Sequence, residues 1–397
     1  RAESISIRRD GGDEEDAVAR WTAELEGAER AFGPDDSRTL SARNELAAAY
    51  ADAGDHERAI ETQRRVLADC ERSLGPGHLD TLTARNNLAS SLADAGRYRE
   101  AIGLQGQVLD DYERALGADH PFTLTARSNL ASACAGAGDL DRARTLQRRV
   151  AQDYLRTLGA NDPLTLTAQH NLANTYAELG EHEAAREVRA EVLARRTRVL
   201  GRDHPHTIGA RHNLANSLSD LGEHRQAVEL RRAVLAERER VLGPAHPQTI
   251  GARNSLASTL SDVGEHGEAL TLRRMVLADR ERLLGADHPH TVVARNNLAN
   301  LLALLECHDE ALVVRERALA DCERLLGADH VNTITARANL AQSCDAVGDS
   351  ARAAALRAQV KADRERLYRN VQEAASRGAT TAAKLRRRLG SGRQPSA

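Results

Sequence analysis

The amino-acid sequence predicts an all-α protein, an α-solenoid of antiparallel helix pairs, and three observations carry that expectation. A Gly preceded by Leu or Phe and followed six residues later by Thr occurs at Gly33, Gly75, Gly117, Gly159, Gly201, Gly243, Gly285 and Gly327. Gly33 and Gly327 are 294 residues apart, seven intervals of 42 with no insertion or deletion. Within each interval the apolar positions recur at helical rather than strand spacing. Aromatic residues are scarce (Trp 1, Tyr 6, Phe 2 in 397 residues), which suits close helix packing better than a β-sandwich or barrel.

Three segments follow from the register: residues 1–32, the eight repeats of 33–368, and residues 369–397. In the first, Ala17, Leu25 and Phe32 repeat the second-helix pattern and Gly12 stands where a turn Gly belongs. Residues 13–32 are therefore expected to be the second helix of an incomplete unit and a cap for the array. With each repeat's Thr as position 0, the first helix begins near Asp-His-Pro (Asp119-His120-Pro121, Asp287-His288-Pro289), where Asp or His can cap free N–H groups and Pro suits the first turn. It ends at a Gly at position 15 (Gly54, Gly96, Gly138, Gly180, Gly222, Gly264, Gly348), a residue that enters the left-handed region at little cost. Only the seventh repeat departs, with Glu306. The second helix then runs from position 17 to the Leu before the next unit's Gly, near nineteen residues.

Positions 3, 8 and 20 are Ala in every repeat and position 7 is Leu in every repeat, from Leu46 to Leu340. Small residues let helices approach while Leu fills the layer between them. Cys134 and Cys344 fall on position 11 and read as core fillers. Beyond the last repeat a helix-like stretch continues to about Leu389 and carries Lys384, Arg386, Arg387 and Arg388. Atypical ends of this kind cap a solenoid.

Position 4 would face position 30 across an antiparallel pair. The residues there are Arg43 and Asp69, Arg85 and Asp111, Arg127 and Asp153, Arg211 and Glu237, Arg253 and Asp279, Arg295 and Asp321, Arg337 and Asp363. The fourth repeat alone lacks the base, having Gln169, and it alone lacks the acid, having Arg195. A structural Arg–acid bridge inside seven repeats is expected, disfavouring wrong register more than adding net stability.

The runs Ala84-Arg85-Asn86-Asn87-Leu88-Ala89 and Leu116-Gly117-Ala118-Asp119-His120-Pro121, with the turn Gly and the position-20 Ala, resemble the tetratricopeptide repeat. The likeness is to the 42-residue variety of kinesin light chains and many bacterial proteins, and it covers residues 33–368. It implies a right-handed superhelix whose first helices line a concave groove. Two departures stand out: position 4 is Arg instead of an aromatic, and position 24 is Gln or Arg.

Positions 2, 5, 6 and 9 share one stripe of the first helix, opposite the Leu core. Position 6 supplies Asn87, Asn129, Asn171, Asn213, Asn297 and Asn339. Position 5 adds Asn86, His170, His212, Asn254 and Asn296, and position 9 adds Asn174, Asn216 and Asn300. Mid-helix Asn costs about half a kcal/mol relative to Ala, so its repetition points to use. A carboxamide both donates and accepts, and a row of them could pair with the backbone of an extended peptide whatever its sequence. Family resemblance implies the same role. The stripe otherwise reads as small, polar and largely uncharged, with Glu45 and Ser255 in place of Asn at position 6.

Lys+Arg 55 against Asp+Glu 58 gives a net charge of −3, which argues against a coat for nucleic acid or an anionic membrane. Only Lys361 and Lys384 are Lys, so the carboxylate clamp of some relatives is not expected. Phosphate-binding Gly-rich loops, Gly-x-Ser-x-Gly and His-Glu-x-x-His do not occur in the sequence, and most of the fifteen His fall at positions −3 or 17, where they read as caps and turns. The five scattered Cys form no C-x-x-C pair. The expectation is a cytoplasmic, non-enzymatic protein without metal or cofactor, binding protein or peptide and neither nucleic acid nor membrane. Homo-oligomerisation, or fusion behind an upstream domain such as a nucleotide-switched ATPase, is compatible with the interrupted first unit. The Arg- and Ala-rich composition fits a high-GC bacterial coding sequence.

Overall fold

The computed structural model describes residues 12–369 apart from Asp287, with side chains from residue 16. The segment 1–11 and the expected helix and basic tail beyond residue 369 lie outside the described residues. All regular structure among them is helical. The chain divides into two units, residues 1–221 and 222–397.

In the first unit α1 (Gly12–Phe32) precedes four helix pairs and one further first helix: α2 (Ser37–Asp52), α3 (His56–Leu74), α4 (Leu79–Asp94), α5 (Tyr98–Leu116), α6 (Pro121–Gly136), α7 (Leu140–Thr157), α8 (Pro163–Glu178), α9 (His182–Leu200) and α10 (Pro205–Asp220). The second unit holds α11 (His224–Leu242), α12 (Pro247–Asp262), α13 (His266–Leu284), α14 (Pro289–Leu304), α15 (His308–Leu326), α16 (Val331–Ala346) and α17, described over 350–369. Gly12, expected in a turn, is instead the first residue of α1. Within each unit, every helix packs against the next one in sequence.

The core sits where the 42-residue register places it. Leu82, Val108, Tyr112, Leu130 and Cys134 form one cluster of the first unit, and Val228, Leu256, Leu260 and Leu301 one of the second. The position-20 Ala side chains, from Ala59 to Ala353, are all fully buried, so a larger residue would push neighbouring helices apart. Cys134 and Cys344 are fully buried as well, and burial pushes both thiols up.

Local chemistry explains the boundaries. The residue at position −3 is the N-cap of each first helix, and its side chain accepts from the backbone N–H two residues on: Asp36 from Arg38, His120 from Phe122 at 3.2 Å, His246 from Gln248 at 3.2 Å. An imidazole can do this only with Nδ1 unprotonated. At His204, burial, with His206 and Arg196 adding positive charge, pushes the imidazole below its ordinary value and so preserves the accepting nitrogen.

The second helices α3, α5, α9, α11, α13 and α15 end at a Gly with φ near +87° and ψ near +163°, as at Gly285, a region only Gly occupies readily, whereas α7 is capped by Leu158 and Gly159 follows with φ 89°. That accounts for the Gly of every repeat start. At the other turn the Gly at position 15 has φ of 74° to 85°, and Glu306, its replacement in the seventh repeat, holds φ 57°. A non-Gly residue there costs about 1 kcal/mol. Glu306→Gly is therefore expected to stabilise the α14–α15 turn by about that amount, visible as a higher thermal midpoint with unchanged helix content.

Candidate functional site

Two rows of Arg side chains, one expected and one not, frame the Asn stripe. The position-4 Arg residues are almost wholly buried between helices, Arg127 being 1% exposed. Arg85 Nη1 donates to Asp111 at 3.0 Å and Arg253 Nη1 to Asp279 at 2.6 Å. Arg43, Arg127, Arg295 and Arg337 donate likewise to Asp69, Asp153, Asp321 and Asp363. Arg211 and Glu237 belong to different units.

Six of these Arg residues have a third member that pair-by-pair reading of the sequence missed. The Nη2 of the same Arg donates to a Glu fourteen residues earlier, on the preceding second helix: Arg43 to Glu29, Arg127 to Glu113, Arg295 to Glu281 and Arg337 to Glu323, each at 2.6 Å, Arg253 to Glu239 at 2.9 Å and Arg85 to Glu71 at 3.0 Å. One guanidinium thus ties three successive helices. The fourth repeat replaces all three members, with Gln169, Arg195 and Leu155. There Arg195 reaches the carbonyl of Ala160 at 3.2 Å instead. In the sequence that Glu is missing at Leu155 and also at Thr197, fourteen residues before Arg211.

The stripe residues of positions 5, 6 and 9 are half-buried, except Ser132, Asn300 and Gln342, which are exposed. Asn87, Asn171, Asn213, Asn297 and Asn339 make no side-chain hydrogen bond among the described residues. Asn129 is different, donating to Asn86 Oδ1 at 3.2 Å and so linking α6 to α4. His170, His212 and Asn216 all have partners within the molecule. Asn174, Asn254 and Asn300 accept from buried Arg residues.

Those Arg residues occupy position 24, on the second helices, and set charge behind a stripe whose own residues are largely uncharged. Arg189 of α9 donates to Ser217 Oγ at 2.6 Å, to the Asn213 carbonyl at 3.1 Å and to Asn174 Oδ1 at 3.0 Å. Arg315 of α15 does the same with Ser343 Oγ at 2.8 Å, the Asn339 carbonyl at 2.7 Å and Asn300 Oδ1 at 3.3 Å. Arg231 takes the Ser255 carbonyl at 2.7 Å and Thr259 Oγ1. Arg273 has Leu301 where the others meet a hydroxyl, and it turns to Asn254 Oδ1 at 2.5 Å and Ser258 Oγ at 2.7 Å. The sequence signal is a polar position 24 matched by Ser or Thr at position 10 one repeat later.

Burial pushes Arg189, Arg273 and Arg315 below the ordinary guanidinium value, with Asp220 opposing at Arg189, and Arg280 adding to and Asp262 opposing the effect at Arg273. None of the three meets a carboxylate at ion-pair distance among the described residues. The first-helix strip is thus underlaid by positive charge, which a low-dielectric surround screens poorly.

Other clusters are less furnished. His182 Nδ1 lies 3.9 Å from Asp220, and His224 Nδ1 3.9 Å from Asp262, both His being the first residue of a second helix. Among the described residues no three His, Cys, Asp or Glu come together as metal ligands. No helix there is long and apolar enough to cross a membrane. A hollow of about 510 Å³ between α1, α2 and α3 lies over Arg43, Glu29 and Asp69, not over the Asn stripe.

The tetratricopeptide repeat family matches the chain in eight overlapping segments, 5–72, 38–113, 80–156, 123–197, 164–236, 207–282, 248–312 and 291–362. A comparison with curated proteins gave no match. Among solved structures, a kinesin light chain from Podospora anserina with nearly identical repeats is 29% identical over 51% of this chain and 95% of its own, with a TM-score of 0.48. The apo form of the quorum sensor NprR from B. thuringiensis is 13% identical, covering 89% of this chain and 99% of its own at a TM-score of 0.55. A signal transduction ATPase with numerous domains and a tetratricopeptide repeat sensor, from Pyrococcus horikoshii, is 12% identical over 93% of this chain and 55% of its own, at 0.59. At 12% and 13% identity these last two speak to fold alone. The eight matched segments and the 42-residue register together place this chain in the tetratricopeptide repeat family, a family of protein–protein interaction scaffolds.

Proposed function

We propose that this chain is a non-enzymatic scaffold that binds an extended peptide or protein segment along the strip of first helices, with Asn side chains engaging the ligand backbone. The observation that carries this reading is the position-6 row. Asn87, Asn171, Asn213, Asn297 and Asn339 sit mid-helix, where Asn costs about half a kcal/mol, and their carboxamides find no partner among the described residues. An amide with a use inside the fold would be hydrogen-bonded there, as Asn129 is to Asn86. The open ones remain available to a strand's N–H and C=O groups.

Recovery of partners on the immobilised chain, compared with an Asn171/Asn213/Asn297→Ala variant, tests it. Each substitution removes a helix-unfavourable residue, so the variant is expected to be at least as stable, yet to lose most of its bound partner. Equal recovery by a folded variant would reject the Asn row as the binding element. A second reading, the sensor region of a larger signalling ATPase, is favoured by the extent of the archaeal likeness, which takes in 93% of this chain but 55% of that protein. Upstream coding sequence would decide it.

A further inference from the structure

The buried Arg residues beneath the strip constrain what can lie on it. In the second unit, Arg273 donates to Asn254 Oδ1 at 2.5 Å and Arg315 to Asn300 Oδ1 at 3.3 Å. A guanidinium has donors only, so it can hold a carboxamide in one orientation, with the carbonyl oxygen turned inward and the NH₂ turned out. The Nδ2 groups of Asn254 and Asn300 make no hydrogen bond among the described residues. A carboxamide that could in principle donate or accept is therefore fixed as a donor.

Arg189 shows the same logic in the first unit, with one more link. It occupies Asn174 Oδ1 at 3.0 Å, so Asn174 Nδ2 must donate across the 3.2 Å to His170 Nε2. Polarity runs outward from the Arg in both units.

Charge adds to orientation. Arg273 and Arg315 are 8% and 6% exposed and meet no carboxylate at ion-pair distance among the described residues. Both cations are hydrogen-bonded by neutral oxygens alone, with Asp262 acting on Arg273 only at longer range, so positive charge lies directly behind Asn254, Ser258 and Asn300.

We propose that Arg273 and Arg315 are positioning residues that turn the strip of the second unit into a one-way donor surface, selecting an acceptor-rich, anionic face of an extended peptide. This rests on the peptide-binding reading above and narrows it: backbone carbonyls and acidic side chains are taken, and basic segments are refused. The guanidinium groups act through Asn254 and Asn300 and need not touch the ligand.

The test titrates the full chain with three acetylated and amidated nonapeptides of equal length, alternating Glu/Ser, alternating Lys/Ser, and Gly/Ser only, followed by calorimetry at low salt. The Glu/Ser peptide is expected to bind at least about tenfold tighter than the Lys/Ser peptide, equivalent to about 1.4 kcal/mol. Arg273→Gln with Arg315→Gln is expected to erase that preference. Because those changes could disturb packing, Asn254→Asp with Asn300→Asp is the companion variant. It keeps an acceptor for each Arg and supplies an ion pair, so the fold is expected to hold in a circular dichroism melt while Glu/Ser binding is lost. If both Asp substitutions leave the Glu/Ser preference intact, the Arg residues are merely structural and the inference is overturned. Equal binding of all three peptides would likewise overturn it while leaving the scaffold reading standing. Binding of none by folded protein would remove both.

Discussion

Replacing Arg127 by Gln is expected to destabilise the α6–α7 pair by about 3–5 kcal/mol, the cost of breaking one side of a buried ionic cluster. Arg127 is 1% exposed and donates to Asp153 on α7 and Glu113 on α5. Its removal would leave two carboxylates facing each other without the group that neutralises both. The fourth repeat shows how the same site is built differently, using Gln169, Leu155 and Arg195, whose guanidinium pairs with Glu191 on its own helix. Copying it, Arg127→Gln with Glu113→Leu, Asp153→Arg and Arg149→Glu, is therefore expected to recover most of the loss, because the new Arg gains the acid that Arg195 has in Glu191 and no buried carboxylate remains unpaired. Amide hydrogen exchange across α5 to α7 would report the difference locally, which matters in an array whose repeats need not unfold together. A quadruple variant as unstable as the single one would show that the cluster does not act as a unit.

Leu130→Ala is expected to cost about 2–5 kcal/mol, comparable in size but different in origin. Leu130 is 3% exposed and packs with Leu82, Val108, Tyr112, Ala126 and Cys134, so truncation opens a cavity in a cluster built from two repeats. The neighbouring backbone cannot easily collapse, since fully buried Ala143 already sets the helix spacing. Leu164→Ala, at 51% exposure, is the control and should change stability by no more than about 0.5 kcal/mol. Denaturant unfolding of both variants, followed by helix content, distinguishes the two sites. A cost at Leu130 as small as that at Leu164 would contradict the core assignment.

These expectations rest on different amounts of foresight. The helix pairs, their turns and their core residues could be read directly, because each depends on local chemistry repeated at a fixed interval: Gly285 for a φ of 87°, His120 for an N-cap, Leu130 for the layer between helices. The facing of Arg85 and Asp111 was also legible, since an antiparallel pair with a short turn leaves little choice of partner. Glu71 as the third member was not read, because it lies on the preceding helix and its link to Arg85 skips a whole element.

The strip is where linear reading reached its limit. Periodicity gathers Asn87, Asn171 and Asn297 on one stripe, but it cannot say which carboxamides are spent within the fold. That depends on Arg189, Arg273 and Arg315, which come from the other helix of the pair and enter from beneath. The 42-residue repetition alone was enough for the all-α fold and its core, because local conformational preference and apolar spacing repeat along the chain. The charge and hydrogen-bond polarity of the binding strip had to wait for three dimensions. They arise from side chains of different helices meeting in a medium of low dielectric, where the neighbours of each guanidinium decide how its charge is satisfied.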